Sequence, residues 1–260
     1  MAHLPVVVKL EDRAGARIAR VTIDNRHRLN CLTTAHVTAL TTSFAKLSAD
    51  TTLRAVVLTG EGDRAFIGGA DLNELGAFCA DSARLYITRL HSACAAIRAC
   101  PVPVIGRING FCLGAGLELA ASCDMRAAAD TARFGMPEVY MGIPSVIEAA
   151  LLPGLVGWGR TREMLLTGET FPASDALAMG FVQRIAPLSG LDDAIEGWLA
   201  AILKATPQAV RAQKALMNRW ERSGLEEGIL AGIDALSDAY KTGEPQAAIA
   251  AFFAAKMKAT

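Results

Sequence analysis

Two glutamates and two glycine-bearing turns are the residues in this chain best suited to chemistry. The first turn lies in Arg64-Ala-Phe-Ile-Gly-Gly-Ala-Asp71. Gly68 and Gly69 allow backbone conformations closed to other residues, and Asp71 is placed to cap a helix beginning near Leu72. The N–H groups of such a turn can face an anion, although a plain glycine turn before a helix reads the same way. The second turn, Gly114-Ala-Gly116, opens a small-residue helix with Glu118 in its first turn. Flanked by Leu117 and Leu119, Glu118 reads either as an inward-facing acid or as a surface complement to the helix dipole. Glu138 follows Pro137 in Arg133-Phe-Gly-Met-Pro-Glu-Val-Tyr-Met-Gly-Ile-Pro144, where the alternative is a solvated carboxylate on a turn. Two carboxyls sharing a water-poor site would divide into one acid and one base, because like charges in proximity resist joint ionisation.

The elements that must hold these residues alternate in type. Val6–Leu10 and Arg17–Ile23 read as a hairpin around Gly15. Thr33 or Thr34 caps a predicted helix to about Leu47, with Leu40, Phe44 and Leu47 on one stripe. Ala55–Leu58 is a short apolar strand, and Asp81 is the expected cap of a helix through roughly Ala99, stopped by Pro101 and Pro103. Val102–Ile108 and Met125–Ala129 read as buried strands. This alternation runs to about residue 190 and predicts an α/β core. From Leu191 the texture becomes helical, with stretches at about 207–221, 225–241 and 245–258 and Thr206-Pro207 as a start signal. The alanine-rich face from Ala247 to Ala255 suits either intramolecular core or a subunit contact. No fixed-period repeat or low-complexity tract interrupts the pattern.

Composition removes several classes of function. The 260 residues are 52% hydrophobic, and 26 Lys+Arg balance 26 Asp+Glu. A nucleic-acid binder would carry a clustered basic excess, and none is visible. Cys31, Cys79, Cys94, Cys100, Cys112 and Cys123 form no Cys-x-x-Cys pair, and His3, His27, His36 and His91 stand apart, so zinc-type spacing is absent. No Gly-x-Gly-x-x-Gly occurs at the second turn and no Lys-Ser/Thr follows it, which excludes dinucleotide and P-loop readings. The five-residue apolar run near the start, interrupted by Pro5, is too short for a signal-peptide core, and no segment is long enough to span a membrane. A reduced cytoplasmic protein with buried thiols and no membrane partner is the expectation.

Taken in order, the motifs resemble the crotonase (enoyl-CoA hydratase/isomerase) superfamily over nearly the whole chain. They are Asp24-Asn-Arg-His-Arg-Leu-Asn30, Arg64–Asp71, Pro103-Val-Ile-Gly-Arg-Ile-Asn-Gly110, Gly114–Asp124, Phe134-Gly-Met-Pro-Glu138, Leu166-Thr-Gly168, Ala176-Leu-Ala-Met-Gly-Phe-Val182 and Phe253–Lys258. The resemblance implies a crotonase-like spiral of ββα units over 1–195, carrying the active site. It also implies a helical C-terminal region, 196–260, that builds homotrimers, often paired into homohexamers. The implied activity belongs to fatty-acid metabolism: a lyase that reversibly adds water to a 2-enoyl-CoA, with the coenzyme A thioester as substrate and no separate cofactor or metal. The backbone N–H groups of Ala70 and Ala115 are the implied oxyanion hole. Glu118 and Glu138 match the two carboxylates that hydratases of this family use, Glu118 activating water and Glu138 exchanging the proton at the α-carbon. Arg28, Arg64, Ala65, Phe66, Gly68, Asp71, Leu72, Phe253 and Lys256 are the implied coenzyme A contacts, with Lys258 a further cationic candidate. For the charged members a solvated surface position, and for Phe253 a core ring, is the alternative.

One departure bears on the reaction. Many hydratases of the family have a glycine-rich Pro-x-x-Gly-Gly-Thr-Gln stretch, where this chain has Pro144-Ser-Val-Ile-Glu-Ala-Ala-Leu-Leu-Pro153. The Ser145-x-x-Glu148 spacing predicts a helix capping box; otherwise Glu148 is a third acid facing the acyl pocket. The same oxyanion hole would also serve double-bond isomerisation or thioester hydrolysis. A scaffold that binds acyl-CoA or RNA without turnover is the remaining reading, against which the glutamate pair and the neutral charge both argue.

Overall fold

The computed structural model describes residues 4–13 and 15–259, with side chains described as far as residue 257; the side chain of Lys258 lies outside the described residues. The hairpin strands are β1, Val6–Arg13, and β2, Ala16–Ile23, with Gly15 at φ +81° in the turn. After α1, Thr34–Ser48, the chain makes three passes of one pattern. Strands β3, Leu53–Gly60, and β4, Ala65–Ile67, lead into α2, Leu72–Leu75, and α3, Ala80–Ala99. Strands β5, Val104–Ile108, and β6, Phe111–Leu113, lead into α4, Ala115–Ala121. Strands β7, Met125–Ala129, and β8, Arg133–Gly135, lead through two 3-10 turns into α5, Leu152–Thr167. The chain then adds β9, Thr170–Pro172, α6, Ala173–Ala178, and β10, Arg184–Ala186.

The passes generate two sheets. The first strand of each joins a six-stranded sheet in the order β1-β2-β3-β5-β7-β10, and the second joins a four-stranded sheet in the order β4-β6-β8-β9. Pairing is parallel except for β1 with β2 and β8 with β9. This is the expected spiral of ββα units. The parallel strands are near-continuous apolar runs because both faces are covered: all of β3 except Arg54 is buried. Helix α1 is capped by Thr33 and buries Leu40, Phe44 and Leu47, as its stripe predicts.

Four helices close the chain: α7, Leu191–Lys204, α8, Pro207–Trp220, α9, Leu225–Lys241, and α10, Glu244–Ala259. Helix α7 was not separated by its sequence pattern. It packs on β3, β5, β7 and β10 and buries Leu191, Ile195 and Leu199, so a division after residue 195 runs through a helix of the core. Helix α8 is anchored by the buried Lys214, whose Nζ donates to the Val102 carbonyl at 3.0 Å and to Asp124 Oδ2 at 2.7 Å. The expected cap of α3 also shifts: Asp81 lies in the first turn, and the Cys79 N–H donates instead to the Ser82 hydroxyl at 2.8 Å. Of the six cysteines, all free, four are buried; Cys79 is exposed and Cys31 is half-buried, so the buried-thiol expectation holds for four. Among the described residues no cluster of three or more His, Cys, Asp or Glu side chains could hold a metal ion, and no helix is long and apolar enough to cross a membrane.

Candidate active site

The β4–α2 turn and the β6–α4 turn meet at the edge of the smaller sheet. Strand β4 is held by side-chain amides. Asn109 Nδ2 donates to the carbonyls of Gly60, Gly62 and Ala65, and Asn30 Nδ2 donates to those of Glu61 and Ala65. Both asparagines are buried, and their roles as pins of this turn were not read from the sequence. The available signal was an amide side chain inside otherwise apolar, glycine-flanked motifs, where a buried polar group must find partners. Beyond β4, Leu32 and Ala70 form a parallel bridge in which the Leu32 N–H donates to the Gly69 carbonyl and the Asp71 N–H to the Leu32 carbonyl. That pattern leaves the Ala70 N–H outside the ladder. Gly69 takes φ +123°, as its glycine suggests, whereas Gly68 is constrained by proximity: a Cβ there would stand 3.0 Å from the Leu29 carbonyl oxygen.

The second turn is equally constrained. Gly114 adopts φ +50° and ψ −120°, a region essentially reserved for glycine. A Cβ on it would meet Glu138 Oε1 at 2.4 Å and Gly69 Cα at 4.0 Å, so the two turns and the Glu138 carboxylate share one small volume. Gly116 lets α4 close on β4, where an added Cβ would lie 2.2 Å from the Ile67 carbonyl oxygen. The Gly114 N–H is used in the sheet, donating to Gly135, while Ala115 is the first residue of α4 and has no preceding turn to receive its N–H. The two alanine amides thus begin adjacent segments with no main-chain acceptor among the described residues.

Helix α4 is buried along its whole length, Glu118 included. Glu118 Oε1 has no hydrogen-bond partner among the described residues. Burial pushes the Glu118 carboxyl up to about 8; the Glu138 charge and, more weakly, that of Glu148 add to the rise, against the opposing Ala149 amide. Glu118 therefore holds a proton at neutral pH. Glu138, half-buried in the 3-10 turn Pro137–Met141, accepts at Oε2 from the Ser145 hydroxyl at 2.9 Å.

The expected capping box at Ser145 and Glu148 does not form. The N-cap of the 3-10 turn Ile147–Leu151 is Val146, Ser145 is committed to Glu138, and Glu148 turns inward. Ile147 takes φ +38°, uncommon and strained for a β-branched residue, in the step that turns Glu148 away from solvent. Glu148 Oε1 lies 2.9 Å from His91 Nδ1 on α3, a bond between side chains 57 residues apart that sequence spacing did not signal.

The remaining expected contacts fall into groups. Arg28, Gly68, Asp71 and Leu72 come together at the first turn: Arg28 donates to Asp71 Oδ2 at 2.9 Å, and the Gly68 N–H donates to the Leu29 carbonyl. Asp71 caps α2 as expected, accepting from the N–H groups of Asn73 and Glu74, while Leu72 is exposed. Its buried carboxylate is held below the usual range because the Arg28 and Asn73 bonds outweigh the larger upward effect of burial. Arg64 is exposed on the β3–β4 loop. Ala65 and Phe66 bury their side chains completely, so only main-chain atoms there can meet a ligand. Phe253 is an exposed ring packed edge-on against Phe252, not a core residue, and shares α10 with the exposed Lys256. Helix α10 packs chiefly on α9, so these two stand outside the first-turn group.

Comparison with known proteins agrees with this architecture. A family model described as enoyl-CoA hydratase/isomerase matches residues 13–259. The chain is 30% identical over 237 residues to the short-chain-enoyl-CoA hydratase of Clostridium acetobutylicum, covering 91% of each chain. It is 29% identical over 253 residues to the crotonyl-CoA hydratase of Syntrophomonas wolfei, covering 97% of this chain and 96% of that one. The crystal structure of an enoyl-CoA hydratase from Mycobacterium smegmatis superposes with a TM-score of 0.86 at 30% identity over 90% of each chain. With a match that spans almost every element described above, the chain belongs to the enoyl-CoA hydratase/isomerase family.

Proposed function

We propose that the chain is an enoyl-CoA hydratase that reversibly adds water, syn, across the double bond of a 2-enoyl-CoA to give the 3-hydroxyacyl-CoA. The observation that carries this reading is the buried Glu118 electrostatically coupled to Glu138, beside a turn whose Gly114 would clash with the Glu138 carboxylate if it bore a side chain. Water adds poorly to an isolated alkene. Conjugation to the thioester makes the β-carbon electrophilic, because attack there moves negative charge onto the carbonyl oxygen. The Ala70 and Ala115 N–H groups are proposed to receive that oxygen; one such donor is typically worth about 10²–10³ in rate. Alanine costs nothing at either place, since the donor is main-chain.

In the proposed cycle, ionised Glu118 takes a proton from water as the oxygen bonds to the β-carbon, and Glu138 delivers a proton to the α-carbon. General acid–base help of this kind contributes about 10²–10⁴ in rate. Because Glu118 holds a proton in the ligand-free site at neutral pH, it must lose one, and Glu138 must carry one, before the pair can act in these roles. Coenzyme A is proposed to lie along the first turn, with Arg28 and Arg64 near its phosphates and the main chain of Ala65, Phe66 and Gly68 beside it. Asp71 is proposed to act through Arg28 and the α2 cap, and Leu72 to offer apolar contact.

Phe253 and Lys256 are proposed to reach the nucleotide of a neighbouring subunit in a homotrimer or homohexamer. Exposed Leu225, Ile229, Leu230, Ile233 and Leu236 on α9 support assembly, since an apolar surface of this extent is uncommon on a monomer. The helical segment beyond the core is the proposed assembly region, and the cytoplasm the proposed compartment. The test is product identification after incubation with crotonyl-CoA. A 3-hydroxyacyl thioester is expected; a shifted alkene or free thiol would assign isomerisation or hydrolysis instead.

A further inference from the structure

Glu148 is a third carboxyl beside the pair, and the hydration chemistry above does not use it. Its side chain is 3% exposed, and its Oε2 has no hydrogen-bond partner among the described residues. Glu118 Oε1 is the other buried carboxylate oxygen in that condition. An unpaired buried acceptor is costly, and two of them on neighbouring carboxyls mark a place where a proton or a water molecule belongs. The 3-10 turn bearing Glu148 packs directly on α4, which bears Glu118, and α3 packs on both. From the opposite oxygen of Glu148, the path continues to His91 Nδ1 at 2.9 Å, and the His91 side chain is 55% exposed.

We propose that Glu148 and His91 form a proton path between Glu118 and bulk solvent that resets the Glu118 carboxyl after each turnover. The inference rests on the hydratase reading. Hydration consumes one water and no net proton. Each addition nevertheless leaves the proton of water on Glu118 and a proton missing from Glu138. The pair is restored when one proton leaves Glu118 and another reaches Glu138 from the solvent side. The outgoing proton passes from Glu118 to Glu148 Oε2, from Glu148 Oε1 to the imidazole, and from there to a solvent base. Imidazole suits the last position because one ring nitrogen can take up a proton from Glu148 while the other releases one to solvent.

The groups facing the path are few. Glu118 is faced by Glu138 and Glu148 from the 3-10 turns, and Tyr86 and Cys94 of α3 both feel its charge. Glu148 is faced by His91 and Cys94. Tyr86 donates to the Leu32 carbonyl, and burial raises both it and Cys94 above their ordinary values, so neither is the exit. Glu148 and His91 act through Glu118 and are positioning residues, not catalytic ones.

The test compares the intact wild-type protein with His91→Ala and Glu148→Gln. With crotonyl-CoA, His91→Ala is expected to lower kcat about 10-fold at unchanged KM, and free imidazole in the buffer to restore most of it. Glu148→Gln is expected to lower kcat with no imidazole rescue, because its gap is internal. An unaltered kcat in both variants, or a raised KM that imidazole leaves unchanged, would overturn the path and make Glu148 a contact for the acyl group. A second readout does not require turnover. The infrared carboxyl band lost in Glu118→Gln is followed after a pH jump, and its response is expected to be slower in His91→Ala. An equally fast response would overturn the path. Absence of hydration in the wild type would remove the hydratase reading and leave this second readout to decide.

Discussion

The Ser145 hydroxyl donates to Glu138 Oε2 at 2.9 Å and so holds the Glu138 carboxylate in place. Ser145→Ala removes that donor while leaving the backbone free to keep its course. A hydrogen bond to a charged group is worth about 1.5–3 kcal/mol, and part of this is recovered by water in a half-open site. Hydration kcat is expected to fall about 10-fold with KM little changed, measured by steady-state kinetics on crotonyl-CoA.

Gly114→Ala tests the shared volume of the two turns. The added Cβ would stand 2.4 Å from Glu138 Oε1 on a backbone at φ +50°, so the carboxylate, the turn or both must move. The Ala115 N–H moves with the turn. The expected result is a folded protein whose hydration rate falls by about 10²–10³, the usual cost of losing an oxyanion donor. Circular dichroism and gel filtration check that the fold survives.

The charge state of Glu118 fixes the direction of a pH profile. Burial, Glu138 and Glu148 together raise its carboxyl to about 8. If Glu118 is the base, kcat/KM for hydration rises with pH through about 8, because the ionised form increases over that range. A profile that falls through the same range would assign Glu118 as the acid and exchange the roles of the pair. In Glu148→Gln, removing a like charge lowers the Glu118 carboxyl, and the rising limb is expected to move to lower pH.

The exposed face of α9 predicts a subunit contact. Ile233 is 62% and Leu236 65% exposed in the single chain. The double substitution Ile233→Asp and Leu236→Asp is expected to shift the protein from the proposed trimer or hexamer to monomer in light scattering. An unchanged mass would place the interface elsewhere.

Much of this site was legible because it is written in residues with few alternatives. The expected capping role of Asp71 was right, since an acidic residue ahead of Leu72 has two free N–H groups to satisfy. The apolar flanks of Glu118 left an inward acid and a surface complement to the helix dipole equally open, and its burial selects the first; the hairpin about Gly15 followed from its β-rich runs. What escaped depended on distance in the chain. The Ser145-x-x-Glu148 spacing fits a capping box, yet Ser145 meets Glu138 and Glu148 meets His91, because contacts with separate segments outweighed the local pairing. Strands β4, β6 and β8 have three residues each, too few for periodicity to reveal, and only their pairing with one another defines them. Asp81 was the natural cap by type, but the Ser82 hydroxyl reached the Cys79 N–H first.

The most direct test measures crotonyl-CoA hydration and butyryl-CoA binding in Glu118→Gln and Glu138→Gln. Both variants preserve side-chain volume and hydrogen-bonding capacity while removing the acid–base function. Each is expected to lose at least about 10²-fold in kcat with acyl-CoA affinity largely retained. Near-normal turnover in either variant would contradict the assignment of water addition to this pair.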